Sequence, residues 1–139
     1  MKTVVFRFWQ WTWGFPQSLL GLILHLIHRK NGFTSYHGCI VTPWNGSGSM
    51  GVGMYLFISR RHWEKPNDIW VHEFGHSVQS LILGPLFLPV MGLPSFLWCN
   101  LPCCRRLRKN KGISYYRFYP ESTANLLGAW ATGEKCNIA

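Results

Sequence analysis

Acidic side chains are scarce in this sequence: only 5 of its 139 residues are Asp or Glu, against 14 Lys and Arg. Charged residues of both signs make up 14 % of the chain, well below the roughly 25 % of ordinary soluble domains. Because apolar residues account for 47 %, an intrinsically disordered chain is excluded. With 8 Trp and 9 Phe, the low charge favours a protein that places apolar surface against lipid.

The basic residues give the chain a net charge of +9, which attracts phosphate on anionic lipid or on nucleic acid. The densest basic run, residues 105–111, directly follows a long uncharged stretch, an arrangement typical of segments beside a membrane. The sequence contains no RNP-like aromatic motif, no zinc-finger spacing and no recognition-helix pattern. We therefore expect contact with membrane lipid and no nucleic-acid binding.

The cysteines, 5 in number, do not form the even and dispersed set of a disulfide framework. Cys99, Cys103 and Cys104 are crowded together without a C-x-x-C spacing, so a second metal site is not favoured. Reduced thiols facing the cytosol are the simpler interpretation. No small-residue cleavage site closes the N-terminal apolar run, and we expect this segment to be retained.

Residues 1–31 are predicted to form an aromatic and apolar N-terminal helix that associates with the membrane. Aromatic side chains crowd residues 1–15, as they do at the interface between lipid and water. Pro16 suits the first turn of a helix. Apolar residues then recur at helical spacing through residues 17–28.

Two segments, residues 33–42 and residues 52–59, have strand character, with a loop rich in Gly and Ser between them. Together with the predicted helices they indicate an α+β fold class. We expect three or more helices around a two- or three-stranded antiparallel sheet. The length fits one domain, residues 1–139.

The motif that carries chemistry is H-E-x-x-H, formed by His72, Glu73 and His76 on a helix predicted over residues 67–83. Histidines four residues apart share one helix face, so both imidazoles can bind one zinc ion, Zn²⁺. Glu73 is then placed to take a proton from a zinc-bound water. The two positions between Glu73 and His76 are the variable ones. The alternative is a helix whose histidines only face solvent or cap a core.

A catalytic zinc ion usually has three protein ligands and one water, so a third ligand must come from elsewhere in the chain. Glu121 is the first candidate, because it follows a proline at the start of a short predicted helix with Ala124 and Asn125 on a similar face. A surface carboxylate at a helix N-terminus is the other interpretation of Glu121. His62 and Glu64, in the polar loop before the motif helix, are the alternative ligands.

The two segments His72-Glu73-x-x-His76 and Glu121-x-x-Ala124-Asn125 together resemble gluzincin-type zinc metallopeptidases. The resemblance covers only these segments and extends to membrane-bound and cytosolic families of that type. It implies a zincin-like fold and Glu121 as the third zinc ligand. It also implies that Asn125 supports the ligands one helical turn further on, and that the substrates are peptides or proteins.

An uncharged run over residues 80–101 is long enough to span a bilayer, but its glycines and prolines argue against one straight helix. If Glu121 binds the same zinc ion as the two histidines, both ends of the run must lie on one side of any membrane. We therefore predict a Pro- and Gly-broken apolar hairpin over residues 80–102. The positive-inside rule then places the site facing the cytoplasm. A single straight span would instead exclude Glu121 and favour the two upstream alternatives.

These observations predict a membrane-associated zinc metallopeptidase that hydrolyses peptide bonds with zinc-activated water and Glu73 as general base. The strand at residues 52–59 is expected to hold an extended substrate by edge pairing. The alternative is a non-catalytic, membrane-associated structural or binding protein with a basic lipid-facing patch.

Overall fold

The computed structural model describes residues 2–64 and 67–138 and has an α+β architecture, as predicted. Within the described residues the helices are α1 (Thr3–Thr12), α2 (Phe15–His28), α3 (Asp68–Leu83), α4 (Leu93–Asn100), α5 (Pro102–Lys111) and α6 (Tyr119–Thr132). The strands are β1 (Thr34–Tyr36), β2 (Cys39–Trp44), β3 (Met50–Val52) and β4 (Tyr55–Ser59).

The strands form one mixed sheet in the order β1-β2-β4-β3. β1 pairs with β2 and β3 pairs with β4 in antiparallel fashion, whereas β2 and β4 run parallel. The prediction of a two- or three-stranded antiparallel sheet is therefore wrong in strand number and in direction. The physical reason is that each predicted strand segment folds into a hairpin of its own.

Tight turns inside the predicted strand segments make these two hairpins. His37 and Gly38 join β1 to β2 and both have positive φ, 47° and 91°, which is the requirement of a type I′ turn. Gly53, with φ of 60°, opens the turn between β3 and β4. Glycine accepts positive φ without the steric cost that a side chain brings. The parallel pair, β2 and β4, then occupies the middle of the sheet.

The core is centred on β4, in which every residue is buried. The Tyr55 ring stacks on the imidazole of His25 in α2, with ring centroids 5.5 Å apart. α3 packs against β3 and β4 and also against α6. The motif helix is therefore held between the sheet and α6.

The N-terminal segment forms two helices, α1 and α2, rather than one, because the chain turns at Gly14. Buried glutamines bind both helices to α3. The Gln10 Nε2 group donates to the backbone carbonyl of Ser77 at 2.9 Å, and Gln17 Nε2 donates to Ser80 Oγ at 2.7 Å. These two helices are therefore part of the body that carries the H-E-x-x-H motif.

The uncharged run over residues 80–102 is bent into short helical pieces. α3 ends before Gly84, which has φ of 55°, and a 3₁₀ turn and a π-helical stretch (Leu88–Gly92) lead to α4. The Tyr119 hydroxyl donates to the backbone carbonyl of Val90 at 2.6 Å and holds the run against the start of α6. Among the residues described, no helix has both the length and the apolar character needed to cross a bilayer.

Candidate metal centre

α3 carries the H-E-x-x-H motif on its buried face. The Asn67 side chain accepts the Ile69 N–H at 2.9 Å and so caps the start of the helix. His72, Glu73 and His76 are buried, and each offers a ligand atom within 4.8 Å of the others. The helix and the shared face are as the motif predicts.

α6 brings Glu121 to the same point. Its Oε2 atom lies 3.0 Å from Nε2 of His72 and 3.4 Å from Nε2 of His76, and its side chain is buried. The alternative candidates, His62 and Glu64, are exposed in the loop before α3. The structure therefore places together the residues that the sequence predicts as ligands.

Two distances between these atoms can be compared with those of a tetrahedral zinc site. Zinc bonds of about 2.0–2.2 Å to nitrogen and oxygen separate tetrahedral ligand atoms by about 3.3–3.6 Å. The distances from Glu121 Oε2 to the two imidazole nitrogens, 3.0 and 3.4 Å, are close to that separation. Glu73 also has a carboxylate oxygen nearby, but it is Glu121 that contacts both Nε2 atoms. Two imidazoles and one carboxylate leave a fourth position for water, as in catalytic zinc sites.

Each histidine is oriented by an amide side chain through its other ring nitrogen. His72 Nδ1 donates to Asn125 Oδ1 at 2.6 Å, and His76 Nδ1 donates to Gln79 Oε1 at 2.8 Å. Because an amide oxygen can only accept, each Nδ1 carries the hydrogen. Each Nε2 atom then points to the shared position and can bind a metal once it carries no hydrogen.

Two of the supporting residues were not identified from the sequence. Gln79 bonds His76 and also donates from Nε2 to Thr123 Oγ1 at 2.7 Å, which connects α3 to α6. The Ser95 hydroxyl, on α4, donates to Glu121 Oε1. Gln79 lies three residues after His76, and residues at this spacing share one face of a helix, so the sequence does contain a signal for it. Ser95 lies in the apolar run, far in sequence from the motif, and no pattern in the sequence connects it to Glu121.

Replacing Asn125 with Ala is expected to weaken zinc binding about 10–100-fold, the usual cost of losing a partner behind a metal-ligating histidine. The imidazole of His72 would lose the acceptor that fixes its tautomer and its ring orientation. Competition with a chromophoric chelator measures the affinity. Asn45→Ala makes the same chemical change away from the site and should leave the affinity unchanged. Equal affinities for wild type and Asn125→Ala would contradict this role.

Glu73 is buried, and its Oε2 atom has no hydrogen-bond partner among the residues described. Burial raises the pKa of the Glu73 carboxyl, and the nearby His72 and His76 oppose this rise. An unpartnered buried oxygen is costly unless water or substrate uses it. Glu73 is therefore the carboxylate that is free to accept a proton beside the ligand cluster.

His76 and Glu121 influence each other's protonation strongly. Burial lowers the pKa of His76, but the hydrogen bond and charge of Glu121 outweigh it and raise the pKa to about 9. Burial raises the pKa of Glu121, but the hydrogen bonds from the two histidines outweigh it and lower that pKa well below 4.5. In the metal-free protein the pair stabilises the fold fully between pH 4.5 and 6.5, the ordinary values of the two groups. The His76 contribution is lost as the pH rises through about 9, and that of Glu121 as the pH falls through its lowered pKa.

Zinc binding at neutral pH is therefore expected to release a proton from His76, because a metal ligand must be deprotonated. One released proton makes the affinity rise about tenfold per pH unit, up to the His76 pKa of about 9. Calorimetric titration in buffers of different ionisation enthalpy measures the number of protons. A binding enthalpy independent of the buffer would show that His76 is already neutral.

Close contact between the backbones of α3 and α6 sets the position of Glu121. A Cβ atom built on Gly75 would lie 1.9 Å from the carbonyl oxygen of Ala124, and one on Gly128 would lie 2.1 Å from that of Val71. Only glycine permits this approach. Gly75 occupies a variable position of the H-E-x-x-H pattern, but in this fold a side chain there would clash with α6.

Two tyrosines lie beside the ligand cluster. Tyr116 packs edge-on against His72, with ring centroids 5.1 Å apart, and Tyr115 borders the same cleft. Burial raises the pKa of Tyr116 to about 12 and also raises that of Tyr115. Both phenols therefore stay protonated at neutral pH and can act as hydrogen-bond donors.

The cluster lies in a cleft of about 920 Å³ that is lined mainly by apolar side chains. Among the described residues of its lining, the ionisable ones are Glu73, Glu121, the histidines, the tyrosines and Cys99. All three residues of β3 also border it. β3 is an edge strand, whereas β4 is paired on both sides. The expectation that residues 52–59 pair with substrate is therefore wrong for β4, and the available edge belongs to β3.

Comparison with protein-family models, curated protein sequences and solved structures gives no match to this chain.

Proposed function

We propose that the chain is a zinc-dependent metallopeptidase with a zincin-like architecture. In this proposal His72, His76 and Glu121 hold the zinc ion and Glu73 is the general base. The observation that carries it is the contact of one Glu121 oxygen with both Nε2 atoms, next to a buried Glu73 oxygen that has no partner in the described part of the chain. A buried carboxylate oxygen without a hydrogen-bond partner costs free energy of folding unless a ligand or water uses it.

The zinc ion would supply a polarised, more acidic water and a positive charge beside the scissile carbonyl. Glu73 would accept the proton from that water, and burial, which raises the pKa of its carboxyl group, makes it a stronger base than an exposed glutamate. Asn125 and Gln79 would hold the imidazoles in the ligating orientation. Tyr115 and Tyr116 line the same cleft, and their phenol groups would be the hydrogen-bond donors available to an oxyanion.

A peptide or protein is the substrate that the cleft supports best. The β3 edge offers backbone donors and acceptors to an extended chain, and the apolar lining suits large uncharged side chains. Arg and Lys, though abundant in the sequence, are absent from the described lining of this cleft.

The test is the zinc content of protein purified without chelators, measured by elemental analysis. We expect about one zinc ion per chain in the wild type, and loss of zinc in His76→Ala and in Glu121→Ala. His62→Ala is the matched control, since it removes the alternative ligand from the same cleft. Loss of zinc in the His62 variant alone, or a wild type without zinc, would overturn the proposed ligand set.

Membrane association, with the site facing the cytoplasm, is part of the same proposal. It is supported by the exposed cations of α5 and by the free state of all described cysteines. A non-catalytic membrane-binding protein is the second candidate, favoured by the many large apolar side chains exposed on the helices. Hydrolysis of an unstructured protein substrate, stopped by a chelator and restored by zinc, would separate the two.

A further inference from the structure

Most of the large apolar residues of α2 lie on its exposed face. Its buried residues are polar or small: Gln17, Ser18, Gly21 and His25. Its exposed face carries large apolar residues at one-face helical spacing, here called the α2 ridge: Leu19, Leu20, Ile23, Leu26 and Ile27. Water-soluble helices show the opposite pattern. The surroundings of the α2 ridge are therefore expected to be apolar.

A second apolar ridge runs along the bent segment and α4. It is here called the α4 ridge and consists of Leu86, Val90, Leu93, Phe96 and Leu97, all exposed. Phe96 has the largest exposed fraction of the five, 63 %. Exposed apolar patches of this extent mark interaction sites.

The two ridges border the same cleft. Leu20 of the α2 ridge and Leu93 and Phe96 of the α4 ridge all line the cavity that contains the ligand cluster. The cleft is therefore lined by apolar residues of both ridges. An apolar phase that covers both ridges would also cover the entrance to the site.

Positive charge follows each ridge directly. Arg29 and Lys30 come directly after α2, and α5 places Arg105, Arg106 and Lys109 on the surface just after α4. The sequence has no acidic residue before Glu64 and none between Glu73 and Glu121, so neither ridge carries an opposing charge. An apolar face followed by cations is the pattern of segments that lie in the interface of an anionic bilayer.

We infer that the α2 and α4 ridges dock on an anionic lipid bilayer, so that the cleft opens at the lipid interface. Charge complementarity selects lipid over a second copy of the chain, because two copies of so cationic a surface would repel each other. That the cleft opens toward lipid follows from the docking of the two ridges and does not depend on any catalytic activity. That a substrate would enter the cleft from the lipid side rests on the proposed function.

Sedimentation of the full chain with lipid vesicles tests the inference. Vesicles of phosphatidylcholine and phosphatidylglycerol in equal parts should bind the wild type, and vesicles of phosphatidylcholine alone should bind it far more weakly. Leu93→Ser with Phe96→Ser, or Ile23→Ser with Ile27→Ser, should each lower the affinity at least about tenfold through lost apolar burial. Arg105→Gln with Lys109→Gln should lower it about tenfold or more.

The matched control lies on α6, where Leu126 and Trp130 are 70 % and 79 % exposed, belong to neither ridge and do not line the cleft. Leu126→Ser with Trp130→Ser should bind vesicles like the wild type. Retained circular dichroism spectra would show that all variants are folded. Glu73→Gln should also bind vesicles normally, which separates failure of docking from failure of the proposed catalysis.

Three results would overturn the inference. The first is equal binding of wild type to both kinds of vesicle, or to neither. The second is an α6 variant that loses affinity as much as the ridge variants do. The third is a wild type that is dimeric in solution, with ridge variants that become monomeric and bind vesicles unchanged, since a second copy would then be the occupant.

Discussion

Glu73→Gln is expected to lower the rate of peptide hydrolysis by about 10²–10⁴-fold, the usual contribution of a general base. The amide has the size of the carboxyl group but cannot take a proton from water. His72, His76 and Glu121 are untouched, so zinc should remain bound at about one ion per chain. Rate and zinc content measured on the same preparation separate loss of chemistry from loss of metal.

Glu64→Gln is the matched control for this substitution. It makes the same change at an exposed carboxylate in the loop before α3 and should leave the rate unchanged. Full activity of Glu73→Gln would rule out Glu73 as the base. Loss of zinc in that variant would instead make Glu73 a ligand, a role that its position beside the cluster permits.

Gly75→Ala is expected to destabilise the protein by a net value of about 2 kcal/mol and to lower its zinc content. Alanine gains up to about 1 kcal/mol of helix propensity over glycine. Overpacking costs about 1–3 kcal/mol, occasionally more, and a Cβ atom only 1.9 Å from a backbone oxygen belongs at the upper end. Steric cost therefore exceeds the propensity gain. Separation of α3 from α6 would also carry Glu121 away from the histidines.

Denaturant unfolding together with elemental analysis measures both effects. Gly92→Ala is the control, because a Cβ atom there would meet its nearest neighbour at 3.4 Å, which is ordinary contact. That variant should be neutral or slightly stabilised through helix propensity. If Gly75→Ala retained full stability and zinc, the close approach of α3 and α6 would not be what positions Glu121.

The local features of the site were predictable from the sequence because they depend on short spacing. The helix from Asp68 to Leu83 follows from its Asn67 cap and the glycine after it. The common face of His72 and His76 follows from the helical repeat. The proximity of Glu121 to the histidines could not be predicted from local spacing, because α3 and α6 are far apart in the chain. The resemblance to gluzincins supplied that expectation.

The sheet was not predictable in the same way. His37-Gly38 is an unusual pair for a type I′ turn, so the segment over residues 33–42 was interpreted as one strand. The parallel pairing of β2 with β4 depends on the path of the chain between them, which leaves no periodic pattern in the sequence. Gly75 and Ser95 were missed for a related reason, since each matters only through contact with a distant helix.

The buried Gln10 and Gln17, which bind α1 and α2 to the motif helix, have a consequence for substrate selection. A zinc site fixed rigidly to the helix that docks would lie at one height above the lipid, whatever substrate enters. Such an enzyme would select a peptide bond mainly by the distance of that bond from the bilayer surface. The side chains around the bond would matter less. Substrates with unrelated sequences would then be cut at a common distance from the bilayer surface.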